Sequence, residues 1–189
     1  CRDISSSQQN FFKMLDSIIT SKTRVKLLLK FFLNSQNKSY LRNLEQEFGE
    51  STNAIRVELN RLESADLLCA EVKGNRKYFS ANTNHPLFKE INNIVRNFVG
   101  IDKLIERVIN QIGNLETAYI TGDLARGIDS QIIDLVMVGK NLDTSYIEQL
   151  VSKAESILER KIRYLILTDI QMTDYFKNKP VLLIWEQEK

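Results

Sequence analysis

The spacing of apolar residues divides the chain into a helical front half and a back half in which strands alternate with helices. Apolar residues recur at helical intervals over four front segments, residues 8–19, 22–34, 41–48 and 51–65. Ser21 stands where the N-cap of the second helix belongs, Ser51 or Thr52 where that of the fourth belongs, and Gly49 supplies a left-handed residue after the third. The pattern therefore predicts four helices with short polar connections.

Two segments typical of strands follow the last of these helices. Residues 67–72 and 76–81 are joined by Lys73-Gly74-Asn75, a tight turn in which the glycine accepts a positive φ. The order is helix, helix, turn, helix and hairpin. This is the order of a winged helix-turn-helix domain.

The spacing of apolar residues is different in the back half of the chain. Helices predicted over 86–99 and 102–112 link it to the front, and helices over 144–160 and 170–177 alternate with strands over 117–121, 132–138, 162–167 and 181–185. This mixture indicates a small α/β domain, so the expected fold class is α+β. The predicted divisions are an N-terminal helix at 1–19, a winged helix-turn-helix at 20–82, linker helices at 83–112 and the α/β domain at 113–189.

The helix predicted over residues 51–65 has two distinct faces. Ile55, Leu59 and Leu62 share one side, which we expect to be buried. The residues with amide, guanidinium or hydroxyl groups on the other side are Thr52, Asn53, Arg56 and Asn60. Arginine recognises the guanine edge and asparagine the adenine edge, so this face is typical of a helix that enters the DNA major groove.

A second set of polar residues suits contacts to DNA phosphates. It comprises the hairpin residues Lys73, Asn75, Arg76 and Lys77 and the residues at helix starts, Lys22, Arg24, Tyr40 and Arg42. Each of these residues taken alone is also what a solvated surface carries. Their combination in one ordered pattern favours double-stranded DNA as the partner, with a winged helix used only for protein contacts as the alternative.

Composition and charge agree with two modules. The 189-residue chain has a net charge of only +2. Residues 20–80 carry 11 Lys and Arg against 7 Asp and Glu, while residues 114–189 carry 9 against 12. A basic front and an acidic back place polyanion contact at the front.

The cysteine content and hydropathy predict a cytoplasmic protein. Cys1 and Cys69 are no disulfide framework, and no apolar run of about 18 residues is present. We expect no membrane association.

The front half resembles the ArsR-like winged-helix regulators. The signals are Leu41-Arg42-Asn43-Leu44, then residues 51–62, then Leu67-Leu68 at the entry to the hairpin. The metal sensors of that family use ligand clusters that this chain lacks, since no helix carries Cys-x-Cys and His85 is its only histidine. We expect His85 to cap or pack rather than bind metal, and we predict no cofactor and no metal response.

The segment from residue 119 to 139 resembles the nucleotidyltransferase signature of the DNA polymerase β superfamily. That signature has Gly-Ser, a variable residue, Ala-Arg-Gly, a loop, and then Ser-Asp-Ile-Asp-Leu. This chain matches it at Gly122, Arg126, Gly127 and Asp134, and replaces the motif serine with Asp123. The resemblance spans about residues 115–167 and implies a nucleotidyltransferase-like fold.

The carboxylates that the resemblance requires are incomplete. Nucleotidyl transfer uses Mg²⁺ ions held by three acids. Ile132 stands where the first acid belongs, and the strand expected to carry the third contains no Asp or Glu. We therefore expect a domain without transfer activity, in which Asp134 is a buried hydrogen-bonding residue paired with Arg126. A weak cation site formed by Asp123, Asp129 and Asp134 is the alternative.

Apolar residues outside the predicted cores indicate a homodimer. They are Phe11, Phe12 and Leu15 in the N-terminal helix and Leu87, Ile91, Ile94 and Phe98 in the linker. The alternative is that both helices pack on their own domains.

The sequence as a whole predicts a homodimeric, DNA-binding transcriptional regulator that is not an enzyme. Its inactive second domain would sense a ligand, bind a partner or extend the dimer. Two other functions remain open. One is an active nucleotidyltransferase acting on a protein, an RNA or a small molecule, and the other is a non-catalytic, antitoxin-like interaction module.

Overall fold

The computed structural model describes residues 20–187, which form two compact units. The first unit ends at Val95 and the second begins at Arg96, so the chain passes from one to the other inside a helix. The helices predicted as a linker are thereby divided between the units. Phe11, Phe12 and Leu15 lie outside the described residues.

The first unit follows the predicted order of elements. These are helix α1 (Lys22–Leu28), a π-helical continuation (Leu29–Leu33), strand β1 (Ser39–Tyr40), helices α2 (Leu41–Phe48) and α3 (Thr52–Ser64), and strands β2 (Leu68–Lys73) and β3 (Arg76–Ala81). The strands form one antiparallel sheet in the order β1-β3-β2. Three helices with a hairpin after the third make this unit a winged helix-turn-helix.

Short-range hydrogen bonds fix the ends of these helices where the sequence predicts them. The Ser21 hydroxyl accepts from the Arg24 N–H at 3.2 Å, and the Ser51 hydroxyl accepts from the Ala54 N–H at 3.2 Å. Gly49 adopts the left-handed conformation, with φ 63°, and ends α2. These caps satisfy backbone groups that a helix end otherwise leaves unpaired.

The core of the first unit differs from the expected stripe on the first helix. The apolar spacing over residues 22–34 predicts a buried stripe of Val25, Leu28, Leu29 and Phe32, but Val25 and Leu28 are only half-buried. Leu29 and Phe32 are buried as predicted, and Leu27 and Phe31 are completely buried in addition.

The hairpin turns through two residues, Gly74 and Asn75. Lys73 is paired with Arg76 in the strand register, and Gly74 has φ 59°. The predicted loop over 35–39 ends in a strand, because Ser39 and Tyr40 pair with Phe79 and Tyr78.

The second unit is built around a four-stranded mixed sheet. After helix α4 (Phe88–Val99) the chain forms α5 (Ile101–Arg107), a 3₁₀ turn (Ile109–Gln111), β4 (Leu115–Thr121), α6 (Gly122–Ala125), β5 (Ile132–Gly139), α7 (Thr144–Leu158), β6 (Lys161–Leu167), α8 (Asp169–Tyr175) and β7 (Leu182–Glu186). The strand order is β6-β5-β4-β7. Only β5 and β6 are parallel, with α7 as their crossover.

This sheet is covered by apolar side chains on both faces. Helix α7 buries Ile147, Val151 and Ala154, and Ile133 of β5 is fully buried. Tyr175 and Phe176 pack on the other face, against a cluster that includes Val136. The protein is therefore α+β, with a winged helix-turn-helix followed by a small α/β unit.

Within residues 20–187 no helix combines the length and the apolar character needed to cross a bilayer.

Candidate nucleic-acid interface

A groove of about 860 Å³ lies between helix α3 and the β2–β3 hairpin, and we call it the α3–wing groove. Two thirds of the residues predicted to contact DNA line it. They are Thr52, Arg56 and Asn60 from α3, Asn75, Arg76 and Lys77 from the hairpin, and Tyr40 and Arg42 from the start of α2. Residues separated by up to 37 positions in sequence thus share one surface.

The polar side chains of helix α3 face the groove because the apolar side of the helix is buried in the first unit. Ile55 and Leu59 are at most 1% exposed. Arg56 and Asn60 are exposed and line the groove, with Leu59 at its base. The anchored face fixes the rotation of α3, so the guanidinium and amide groups point to solvent together.

The groove is strongly basic. Arg42, Arg56, Arg76 and Lys77 line it against a single carboxylate, Glu45. Within the described part of the chain, neither the Arg42 nor the Arg56 side chain has a hydrogen bond or an ion pair with another residue. Their N–H donors are therefore available to an external acceptor.

Arg76 is held in place by aromatic rings. Its guanidinium lies over the Tyr40 ring at 4.6 Å from the centroid, and the Tyr40 and Tyr78 rings meet edge to face at 5.2 Å. A hydrogen bond with Tyr78 is the main cause that raises the pKa of Arg76 above its usual range, and Tyr40 adds to it. Stacking on an aromatic face orients the arginine without neutralising it.

Four of the predicted DNA contacts do not line the groove. Asn53 and Lys73 are exposed beside it, and Lys73 lies 3.4 Å from the Glu71 carboxylate. Lys22 is exposed at the start of α1, where its charge contributes to the lowered pKa of Glu50. Lys77, by contrast, does line the groove, and its ammonium is paired with the Glu63 carboxylate at 2.7 Å.

Arg24 forms an ion pair within the first unit that the sequence did not predict. Its guanidinium donates to both Glu58 oxygens, at 2.8 and 3.2 Å, and ties α1 to α3. The Glu58 side chain is only 7% exposed. Position 58 falls on the buried side of α3, next to Leu59 and Leu62, and a carboxylate there requires a cation. The place of Glu58 on the buried side of α3 was the feature of the sequence that could have predicted an ion pair.

His85 and the apolar residues predicted as dimer contacts in the linker lie in or just before helix α4. His85 Nδ1 accepts from the Leu87 N–H at 3.1 Å just before α4, as expected of a capping residue. Leu87 and Ile94 are 54% and 43% exposed. Ile91 and Phe98 are half-buried.

The nucleotidyltransferase-like motif lies where β4 meets β5. Gly122 starts α6 with φ 67°, and the Asp134 carboxylate lies so close that a Cβ on Gly122 would collide with it. Gly127 closes the turn with φ 74°. The short helix α6 was absent from the predicted elements because four residues carry no readable period.

The motif's charged residues pair differently from the expectation. Arg126 binds Asp123 at 2.7 Å, not Asp134. Asp134 is half-buried and accepts from Arg163, whose Nε and Nη2 each lie 2.7 Å from its Oδ1. Arg163 faces Asp134 in the parallel register of β5 and β6. The adjacent strand therefore supplies a guanidinium where the resemblance expects a third acid.

The residues present do not fit a Mg²⁺ centre. The carboxylates of Asp123, Asp129 and Asp134 are separated into ion pairs with three different arginines. No three His, Cys, Asp or Glu side chains converge as metal ligands anywhere in residues 20–187. The cation site considered for these three aspartates is therefore not formed.

No protein-family profile and no curated protein matches the chain. Among solved structures it is similar to a mutant form of the toxin–antitoxin MntA-HpeT, at 15% identity and a TM-score of 0.38, over 47% of this chain and 74% of that one. It is similar to reduced HlyU from Vibrio cholerae at 12% identity and a TM-score of 0.34, over 53% of this chain and 88% of that one. A protein from Sulfolobus solfataricus assigned as a nucleotidyltransferase gives 25% identity and a TM-score of 0.35, over 49% and 84% of the two chains. With TM-scores below 0.5, these likenesses carry no weight for function.

Proposed function

We propose that the protein is a DNA-binding transcriptional regulator that reads double-stranded DNA through the α3–wing groove. The observation that supports this most is the charge of the groove, where four cationic side chains face one carboxylate. A polyanion neutralises such a surface at many points, and releases counterions as it does so.

The groove residues divide into two roles. Arg56 and Asn60 lie one helical turn apart on the exposed side of α3, and have the donors and acceptors that read guanine and adenine edges. Arg76 and Lys77 at the hairpin and Arg42 at the start of α2 flank that helix, where DNA phosphates would lie. Arg24 is removed from the proposed contacts, because it does not line the groove and its charge is paired with the buried Glu58 carboxylate.

The regulator acts as a homodimer in this proposal. Leu87, just before α4, and Ile94, within it, expose apolar side chains, although Phe98 further along α4 is already half-buried. A two-fold axis would place two α3 helices in successive major grooves, so the bound site would be a near-palindrome with half-sites about one turn apart. An Ile94→Asp variant should then be monomeric in light scattering.

The second unit has no nucleotidyl transfer activity in this proposal. Ile132 replaces one metal-binding acid, and the Arg163 guanidinium occupies the carboxylate of the remaining Asp134. Incubation with labelled nucleoside triphosphates and Mg²⁺ should give no labelled product. Transfer that disappears in Asp134→Ala would favour the alternative of an active enzyme.

The central test is selection of DNA from random and genomic fragments, followed by gel-shift titration of the selected sequence. We expect Arg56→Ala to weaken binding by about 5- to 150-fold, the worth of one base contact of about 1–3 kcal/mol, and to relax the selected sequence at one position. Arg61→Ala is the matched control, because Arg61 is on the same helix outside the groove and is paired with Glu58.

Two results would contradict the proposal. One is the selection of no sequence above background. The other is equal affinity of the wild type, Arg56→Ala and Arg61→Ala. Stoichiometric co-purification of another protein, together with either result, would favour the interaction-module alternative.

A further inference from the structure

The α3–wing groove contains one carboxylate among its cations, that of Glu45. Glu45 lies in the second turn of α2, three residues after Arg42, and lines the groove together with Arg42 and Arg56. A negative charge that faces DNA opposes binding, because it is repelled by the phosphates. Glu45 therefore weakens DNA binding unless its carboxylate meets a hydrogen-bond donor on the DNA.

Glu45 differs from the other shielded carboxylates of the first unit. Four more carboxylates in residues 20–95 are buried or half-buried, and each of them has a cationic partner. The pairs are Lys30 with Glu47, Lys26 with Glu50, Arg24 with Glu58 and Lys77 with Glu63. Glu45 is half-buried too, but among the described residues no hydrogen bond or ion pair reaches its carboxylate. A partly desolvated carboxylate gains from a donor, so its oxygens are available to a ligand in the groove.

Helix α2 is held in place on the side away from the groove. Leu44 is completely buried. The Lys30 ammonium lies 2.7 Å from the Glu47 carboxylate, and the Lys26 ammonium donates to the Phe48 carbonyl at 3.0 Å. These contacts fix the rotation of α2, so Glu45 faces the groove before any DNA is bound.

DNA offers a carboxylate very few donors. The deoxyribose-phosphate backbone accepts hydrogen bonds but has no group that donates them. In the major groove the donors are the N4 amino group of cytosine and the N6 amino group of adenine. Adenine has the acceptor N7 beside its amino group, which repels a carboxylate, whereas cytosine has only a C–H group there. Cytosine is therefore the base that a carboxylate recognises.

We propose that Glu45 is a specificity-determining residue that accepts a hydrogen bond from the N4 amino group of cytosine when DNA occupies the α3–wing groove. This rests on the proposed function, and adds a base contact from α2 to those assigned to α3. The same charge repels the phosphates of every DNA sequence. Glu45 thus favours the sequence with cytosine at that position, and it disfavours the others.

The test selects DNA from random double-stranded fragments with the full chain, as the wild type, Glu45→Gln and Glu45→Ala. We expect the wild type to prefer cytosine at one position by about 5- to 150-fold. Glu45→Gln should move this preference to adenine, because an amide accepts from N6 and donates to N7. Glu45→Ala should lose the preference at that position and keep the others. Gel-shift titration of four duplexes that differ only there measures the ratios.

Removal of the charge should also strengthen non-specific binding. Both Glu45 variants should bind a scrambled duplex about two- to fivefold more tightly, because the carboxylate no longer repels phosphates. Glu71→Gln is the matched control, since Glu71 is exposed on the hairpin, 3.4 Å from Lys73, and does not line the groove. It removes an equal charge and should leave the selected sequence unchanged. Thermal unfolding checks that all three variants fold.

The outcomes separate this proposal from the proposed function. The same selected sequence for the wild type and both Glu45 variants would overturn the contact to cytosine while DNA binding itself stands. An equal loss of affinity for all four duplexes in Glu45→Gln would overturn it too, because Glu45 would then support the groove without reading a base. Selection of no sequence by any of the proteins would contradict the proposed function, and this contact with it.

Discussion

The α3–wing groove and a pocket of about 580 Å³ beside the nucleotidyltransferase-like motif are both lined by arginines, but their charges are arranged differently. In the groove, Arg42 and Arg56 have no ion pair within the described chain. In and around the pocket, Arg126, Arg160 and Arg163 each bind an aspartate at 2.7–2.9 Å. Unpaired cations on α2 and α3 suit a long polyanion, whereas the aspartates compensate much of the positive charge in and around the pocket.

The difference also shows how each site is maintained. The groove depends on the rotation of α3, which the buried Ile55 and Leu59 and the Arg24–Glu58 pair fix. The pocket depends on close approach of the Asp134 carboxylate to the backbone at Gly122. Substitutions at these supporting positions therefore test the two regions separately.

The largest effect should come from Gly122→Ala. Position 122 has φ 67°, and the new Cβ would collide with the Asp134 carboxylate. We expect a loss of about 3 kcal/mol in the free energy of unfolding, from a left-handed alanine plus the collision. Chemical denaturation measures it.

Gly49→Ala is the matched comparison in the first unit. Gly49 has φ 63°, but nothing lies within 4 Å of a Cβ there. We expect a loss of only about 1 kcal/mol. Equal losses at the two positions, or a Gly122→Ala loss that persists when Asp134→Ala is added, would contradict the collision.

The second effect concerns acid stability of the first unit. Burial opposes ionisation of Glu58, but hydrogen bonding to Arg24 and attraction by Arg24 and Arg61 outweigh it and hold the pKa of Glu58 below its usual range. Its contribution to stability is therefore complete above the ordinary glutamate pKa of about 4.3, and is lost as the pH falls through the lower folded value.

Glu58→Gln removes this contribution. We expect a loss of about 2 kcal/mol at pH 7, because a charge-assisted pair becomes an amide contact, and a smaller difference from wild type below pH 4. Denaturation at several pH values measures both. Glu63→Gln, which breaks the more exposed pair with Lys77, should cost less than about 1 kcal/mol.

The smallest effect distinguishes phosphate contacts from base contacts inside the groove. Arg76→Ala should weaken binding to every DNA sequence, and should flatten the plot of log affinity against log salt by about 0.9. Tyr40→Leu removes the ring under Arg76 and should weaken binding less, with the slope unchanged, because the charge remains. A change of sequence preference in Arg76→Ala would instead assign it to base reading.

The parts of the fold that were predictable depend on local chemistry. Helix α3 begins at Thr52 and ends at Ser64, within one residue of the prediction, because its apolar period and the Ser51 cap are local signals. The hairpin follows from Gly74. The two-residue strand β1 and the π-helical continuation of α1 were missed, because neither leaves a periodic pattern.

The pairings that shape the two sites were not predictable in the same way. Arg24 meets Glu58 across 34 positions, and Arg163 meets Asp134 across 29. The sequence shows that Asp134 is the only remaining motif acid, but not which arginine it binds, because the partner is fixed by the parallel register of β5 and β6. The eight predicted residues that line the groove could be identified because the helices and strands that carry them were predicted correctly. The contacts between their side chains were not predicted.

The most direct test of the central claim is fluorescence anisotropy of the wild-type protein on its selected DNA over a range of salt concentrations. If Arg42, Arg76 and Lys77 each neutralise one phosphate, log affinity should fall against log salt with a slope of about −2.7 for each protomer. A slope near zero, or the same affinity for selected and scrambled DNA at every salt concentration, would contradict the account.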